Sequence, residues 1–310
     1  MRILVTGGAG FIGSYVVDAF VAAGHEVAAV DSLWEHGGGR RDNLNPKAKF
    51  FQQDIRDEAL LDLFKSFRPE IVSHHAAQPS VAYSTVHPRF DSDVNVRGAI
   101  NVFDVSAETG VRKVIFASSS ATYGTPQYLP IDEAHPQLPE SPYGITKMVG
   151  EHYLRYFATL GPKFTALRYG NVYGPRQDPS GEAGVIAIFA SKILAGTPIR
   201  IDWDGEQQKD YVFVSDVAQA NILALGAADG EAINIGGGVG TSVNALHAAI
   251  AAAVGRDVEV QHAPKRAGDI RTCIFAIEKA RTVLGWRPSV GMDAGIAKTV
   301  DFFRGRAPKH

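Results

Sequence analysis

In the stretch Ser141-Pro142-Tyr143-Gly144-Ile145-Thr146-Lys147 a phenol and an amine stand four residues apart. Ser141 suits an N-cap and Pro142 the first helical position, so the stretch predicts a helix start with Tyr143 and Lys147 stacked on one face. A free tyrosine ionises near pH 10, so almost none is phenolate at neutral pH. Two unit charges about 4 Å apart interact by roughly 4 kcal/mol at an effective dielectric near 20. A neighbouring ammonium is therefore expected to lower the Tyr143 pKa, against desolvation, into the range of a general base. On a solvated amphipathic helix the same pair would be an ordinary tyrosine beside a snorkelling lysine. Three serines, Ser118, Ser119 and Ser120, end another apolar run and can hydrogen-bond a hydroxyl or a developing oxyanion.

A second constellation lies near the start. LVTGGAGFIG places Gly7, Gly10 and Gly13 between a predicted strand and a helix, where backbone N–H groups can approach a pyrophosphate at the helix N-terminus. Asp31 ends the next strand, 21 residues after Gly10, at the position of a carboxylate for adenosine ribose hydroxyls. Ser32 and Leu33 follow it, without an adjacent arginine for a 2′-phosphate, so the reading is NAD and not NADP. Asp54, expected at the end of the third strand, either receives the adenine amine or caps the strand.

The elements that must position these groups follow from periodicity. RILVT, EVAAVD, KFFQQD, EIVSHHAA, KVIFASSS and FTALRYG read as buried strands, and between them run helical patterns such as Val96, Ile100, Phe103 and Ala107. Strands alternating with helices imply an α/β fold with a doubly wound parallel sheet covered on both faces. After about residue 170 the rhythm breaks, and the chain is expected to return to the first domain around DYVFVSDV. The 310 residues carry a net charge of −2 and are 45% hydrophobic and 21% charged, with no long run of one sign, so neither nucleic acid nor a membrane is expected as partner. Cys273 has no second cysteine to pair with, no run of 18 apolar residues occurs, and MRILVTGGAG lacks the regions of a signal peptide; a cytoplasmic protein is expected. His74 and His75 are adjacent on a strand and point to opposite faces, so no metal site is expected.

These motifs, with HHAAQPSV, DVNVRGAINV, ASSSATYG, RYGNVYGPRQDP, GEAGVIAIF, GEQQKDYVFVSDVAQA and KRAGDIR in this order, resemble the extended short-chain dehydrogenase/reductase family, and within it the UDP-sugar 4-epimerases. The resemblance runs through nearly the whole chain. It implies a Rossmann domain at residues 1–170 plus about 211–240, a smaller C-terminal α/β domain for the sugar nucleotide at 171–210 and 241–310, and a tightly held NAD.

Carried over by position, Tyr143 is the base and Lys147 its partner, which also reaches the nicotinamide ribose. Asn95 and Tyr169 meet the nicotinamide end. Phe11, Ile12, Ile55, Ala77 and Ser118 are further cofactor positions. Ser119 holds the sugar's 4-hydroxyl, with Ser120 next in line. Asn171 bonds the substrate phosphate or bridges loop backbone, the backbone at Val185 and Ile186 meets the uracil, and Arg266 pairs with the pyrophosphate. Asp269 is a further substrate position. Lys209 stands where relatives carry an arginine for the pyrophosphate, so a bidentate fork becomes a point charge. Cys273 lies beside the C2 substituent, where a small side chain admits N-acetylhexosamines, or else is a packed core cysteine. Asp202, with Trp203 next to it, occupies the place of an aromatic that flanks the uracil. Ala276 replaces an acidic residue without a derivable consequence.

The implied reaction takes the proton from the 4-hydroxyl onto Tyr143 while the C4 hydride passes to NAD, turns the 4-keto sugar, and returns the hydride to its other face. Ser119 is followed by Ser120 and Ala121, without the extra carboxylate that a dehydratase or decarboxylase needs. The intact Ser119, Tyr143 and Lys147 set also argues against a non-catalytic NAD-binding regulator. The helix after Pro142 carries Ile145, Met148, Val149, His152, Tyr153, Tyr156, Phe157 and Leu160, a wider apolar surface than one core stripe requires. With the Val96–Ala107 helix it is expected to form a homodimer through a four-helix bundle, as the resemblance also implies.

Overall fold

The computed structural model describes residues 1–35, 37–180, 184–265 and 270–306. Along the first half run β1 (Arg2–Thr6), α1 (Phe11–Ala22), β2 (Glu26–Asp31), β3 (Lys49–Gln52), α2 (Leu60–Phe67), β4 (Ile71–His74), α3 (Val81–Val86), α4 (Pro88–Ser92), α5 (Gly98–Glu108), β5 (Lys113–Ser119), α6 (Pro142–Ala158) and β6 (Lys163–Tyr169). The second half adds β7 (Asn171–Tyr173), α7 (Val185–Ala195), β8 (Ile199–Asp202), β9 (Gln208–Phe213), α8 (Val214–Ala224), β10 (Glu231–Ile235), β11 (Gly240–Ser242), α9 (Val243–Val254), β12 (Val260–Ala263), β13 (Thr272–Cys273), α10 (Glu278–Val283) and α11 (Met292–Arg306).

A parallel seven-stranded sheet in the order β10-β6-β5-β4-β1-β2-β3 organises the molecule. Its strands are predominantly apolar because both faces are covered. Ile3, Val5, Ala29 and Ile115 enter one core cluster with Val16, Val17 and Phe20 of α1 and Val217 of α8. Their neighbours Leu4, Ala28, Val30 and Val114 enter another, with Phe64 of α2, Phe103 of α5 and Leu154 of α6. The period of two thus sends successive side chains to opposite layers, and both layers are dry. Six strands coincide with the apolar runs of the sequence. The third stops at Gln52, two residues short of Asp54, and the seventh, β10, lies outside those runs.

The remaining strands form smaller sheets, β11-β9-β13 with β7 on β9, and β12-β8. DYVF lies in β9 of a second sheet, yet its Val212 enters the core cluster of the first layer, and the α8 that follows packs on α1. A third core cluster joins Ile186, Phe189 and Ile193 of α7, Leu246 and Ile250 of α9 and Ile296 and Val300 of α11.

The helical run predicted from Val96 to Ala107 is not uniform. It begins as α4, passes through a π-helical stretch at Asp93–Arg97 and continues as α5. A π-turn adds a residue to the helical circuit and redirects the side chains around it; here Asn95 is buried. Among the described residues no helix is long and apolar enough to cross a membrane.

Candidate active site

The strand order reverses between β1 and β4, which opens a crevice at their C-terminal ends. Gly7 leaves β1 with φ +69°, and a Cβ there would lie 2.7 Å from the Ala76 nitrogen after β4. A Cβ on Gly13 would collide with the Gly7 carbonyl oxygen. The loop is closed so tightly that only hydrogens fit. α1 starts after Gly10 with no side-chain cap and no acidic residue in its first turn. The Phe11, Ile12 and Gly13 N–H groups precede the first helical acceptors and face outward, which makes an anion cradle.

The Asp31 carboxylate accepts from Ala9 N at 3.1 Å and from Leu33 N at 2.9 Å. Burial raises its pKa, and the N–H groups of Leu33, Ala9 and Gly10 oppose that rise. Each oxygen keeps acceptor capacity for a ribose hydroxyl, and Arg40, the nearest following arginine, pairs with Asp178 at 2.9 Å. These features fit NAD. Asp54 sits beyond β3 in a fork with Arg56, Nε–Oδ1 2.9 Å and Nη2–Oδ2 2.7 Å, which holds its carboxyl below the ordinary range. Arg56 also reaches Asp93 at 2.6 Å, so Asp54 is tied to the π-helical stretch. Ile55 is buried against Gly98, and Ala77 is half-buried in the loop after β4.

Ser141 caps α6 by accepting from Gly144 N at 3.1 Å, with Pro142 in the first turn. Gly144 lets the helix end press against the Ala121 carbonyl after β5. Lys147 Nζ donates to the Ala117 carbonyl at 2.9 Å and lies 5.8 Å from the centre of the Tyr143 ring. The Ser119 side chain lies close enough to the Tyr143 hydroxyl to favour its ionised form, and its Oγ accepts from Ala121 N at 3.1 Å. Ser120 opens the short 3₁₀ turn that follows.

The expected lowering of the Tyr143 pKa is not what the cofactor-free chain shows. Burial pushes Tyr143 up to about 12, with Ser119 opposing, and burial also pushes Lys147 down to about 8. Desolvation is the largest effect on both groups because both side chains are enclosed by the protein, and the Asp91 charge raises both. The nicotinamidium of a bound NAD would add positive charge in the same sense as the Lys147 ammonium.

Several polar side chains of this shell are engaged within the protein. Ser118 Oγ donates to Glu151 Oε1 at 2.5 Å, and Glu151 forks with Arg168. Arg168 Nη1 donates to Tyr123 Oη at 2.8 Å, and Tyr123 donates to Asn234 at 2.7 Å. Asn95 Oδ1 accepts from Gln78 N at 2.7 Å, and its Nδ2 lies 3.0 Å from Asp91 and 3.2 Å from Thr146. Tyr169 accepts from Asn221 Nδ2 at 2.9 Å and stacks on His75. Sequence reasoning missed Glu151, Arg168, Asp91 and Asn221. Glu151 alone had a local signal, standing four residues after Lys147 on the same helical face.

On the substrate side Asn171 Nδ2 donates to the Asp210 carbonyl at 3.2 Å, the backbone-bridging option left open above. Lys209 Nζ donates to the Ile270 carbonyl at 2.9 Å. Val185 and Ile186 form the first turn of α7, which has no side-chain cap at Gly184, and the Ile186 side chain is core. Cys273 pairs with Lys209 across β13 and β9 and packs with Tyr123, Ile131 and Phe275; burial pushes its thiol up to about 11. Asp202 pairs with Arg200 at 2.6 Å, while Lys265 and Arg271 lie 4.4 and 4.7 Å from the Trp203 ring. Arg266 and Asp269 lie outside the described residues.

A parallel sheet with a glycine-lined crevice and a Ser-Tyr-Lys set at its mouth defines a dinucleotide-dependent enzyme of the Rossmann type. The chain belongs to the NAD dependent epimerase/dehydratase family, whose model matches residues 3–236. It is 46% identical to the UDP-glucose 4-epimerase of Mycolicibacterium smegmatis, over 99% of this chain and 100% of that one. Among solved structures, the UDP-glucose 4-epimerase of Thermotoga maritima with UDP-glucose superposes with a TM-score of 0.96 at 46% identity, covering 99% of each chain. The Thermus thermophilus UDP-glucose 4-epimerase in complex with NAD gives 0.93 at 45% identity, over 98% of this chain and 99% of that one.

Proposed function

We propose that this chain is an NAD-dependent isomerase that interconverts UDP-glucose and UDP-galactose by inverting C4. The observation that carries the reading is Tyr143 and Lys147 one turn apart on the same helix face, the ammonium 5.8 Å from the ring centre, with Ser119 at the end of β5 close enough to act on the phenol. When bound, NAD supplies reversible two-electron oxidation at C4. Tyr143 accepts the proton of the 4-hydroxyl and gives it back to the inverted oxygen. Ser119 orients that oxygen, and Lys147 supplies positive charge beside the phenol ring. The Phe11–Gly13 turn takes the pyrophosphate of NAD, Asp31 its ribose, and Tyr169 the nicotinamide end. Near-full-length identity to UDP-glucose 4-epimerases supports the nucleotide and the sugar.

A homodimer belongs to the same proposal. Ile145, Tyr153 and Tyr156 on α6 and Leu160 just beyond it are between 39% and 58% exposed, an apolar stripe of the kind an interface covers. A cytoplasmic location is proposed with it, on the single buried thiol.

The test is to incubate the purified protein, without added NAD, with UDP-galactose and to resolve the products by NMR. UDP-glucose should appear, and Tyr143→Phe should lower the rate by about 10²–10⁴-fold. No conversion even with NAD supplied would reject the reading. UDP-N-acetylgalactosamine run in parallel tests whether the space around Cys273 admits an N-acetyl group.

A further inference from the structure

Asp91 is a carboxylate with 0% exposure in the middle of the molecule. Its partners are neutral: Gln78 Nε2 at 2.7 Å and Asn95 Nδ2 at 3.0 Å on Oδ1, and Thr146 Oγ1 at 3.3 Å on Oδ2. Thr146 lies between Tyr143 and Lys147 on α6, and its hydroxyl is also 2.8 Å from the Tyr143 carbonyl. Burying a carboxylate without an ion pair is costly to the fold, and neutral donors offset only part of that cost. The chain places this unpaired charge on α4, packed directly against the helix that carries Tyr143 and Lys147.

We propose that Asp91 is a positioning residue for the epimerisation: its carboxylate holds the first turns of α6 through Thr146 and sets the pH window in which Tyr143 and Lys147 work. The inference rests on Tyr143 acting as the base. A negative charge at this spot disfavours the Tyr143 phenolate and favours the Lys147 ammonium, so it raises both pKa values together. Burial raises the Asp91 pKa, and Gln78, Thr146 and Lys147 oppose that rise.

The other ionisable groups on the elements around Asp91 are Tyr83 and His87 before it and Arg89, Asp93 and Arg97 on its own run. Arg56 holds Asp93, and Glu151 farther along α6 is committed to Arg168. His74 ends β4 and His75 follows it, and burial lowers the pKa of both, with His75 pushed down to about 3. The variable charges that Asp91 shifts in the catalytic set are thus those of Tyr143 and Lys147.

The experiment is the pH profile of kcat for the NAD-loaded Asp91→Asn enzyme on UDP-galactose. Asparagine keeps an oxygen for Gln78 and Asn95 and removes the charge. Both limbs of the bell should move to lower pH by about half a unit or more. Thr146→Val, which cuts the link and removes one donor to the carboxylate but keeps the charge, should lower the plateau and shift the limbs to lower pH by less than Asp91→Asn does. If Asp91→Asn does not yield folded protein, Gln78→Met, which removes a donor favouring the ionised carboxyl, should shift both limbs the same way by less. Limbs that stay where they are, or move in opposite directions, overturn the proposal. Tyr143→Phe in the same assay separates the two ideas. If it keeps wild-type activity, the base assignment fails; if it is inactive and Asp91→Asn moves nothing, only the role of Asp91 fails.

Discussion

Glu151 on α6 and Arg168 on β6 form a two-bond fork, Nε–Oε1 2.9 Å and Nη2–Oε2 2.6 Å, with both side chains only 3% exposed. Each is one residue or one turn from the chemistry: Glu151 follows Lys147 by a turn, Arg168 precedes Tyr169, and Glu151 also holds Ser118 beside Ser119. Burial works against the Glu151 charge, but Arg168 and the Ser118 and Gln137 hydrogen bonds hold its carboxyl below the ordinary range. Glu151→Gln should cost about 3–5 kcal/mol, because it leaves a buried guanidinium without its counter-charge. Urea unfolding of the two proteins measures the difference. A loss under about 1 kcal/mol would mean that water enters and solvates Arg168.

Lys147 is expected to destabilise the cofactor-free fold. Its amine falls from 10.5 to about 8 on burial, so below pH 8 it is charged in both states and the folded state bears the desolvation. Between pH 8 and 10.5 the unfolded chain binds more protons than the folded one, so stability rises with pH across that window. Lys147→Met should therefore stabilise the cofactor-free protein at pH 7 by about 1–3 kcal/mol while abolishing epimerisation. The gain should shrink as pH climbs toward 10. Equal stability at every pH would show that the Ala117 carbonyl and the aromatic rings fully compensate the buried charge.

Gly13→Ala puts a methyl against the Gly7 carbonyl oxygen, so the loop must open. The purified variant should carry far less NAD, assayed after denaturation, and epimerise slowly. Gly226→Ala, with nothing within 4 Å of its Cβ, is the matched control. Normal NAD content in Gly13→Ala would mean that the pyrophosphate does not sit on this turn.

Cys273 packs with Tyr123, Ile131 and Phe275, and its thiol is pushed up to about 11. Iodoacetamide at pH 8 should leave the native protein unmodified and label one site in urea, read by intact mass. Native labelling at the rate of a free thiol would place Cys273 on an open pocket and favour the N-acetyl-tolerant reading.

What the sequence determined by itself was local or periodic. A Ser-Pro start and a four-residue spacing put Tyr143 and Lys147 on one helix face whatever surrounds them. Glycines at 7, 10 and 13 announce a turn that only a backbone can enter. Apolar runs of strand length alternating with helices lead to the parallel sheet, because both of its faces must be covered. The seventh strand escaped because its alternating AINI run follows a turn in a half where that rhythm is lost.

Tertiary structure decided which charges survive and which polar groups remain free. The direction of the Tyr143 pKa depends on how dry its pocket is, and that dryness comes from strands and loops dozens of residues away. Ser118 and Asn95 carry the right chemistry in the right order, yet each is committed to a partner distant in the chain, Glu151 and Gln78. Asp91 shows no local signature at all; its burial follows from how α4 packs on α6. Spacing along a chain specifies direction on a helix or strand, whereas desolvation and long-range hydrogen bonds belong to the packed whole.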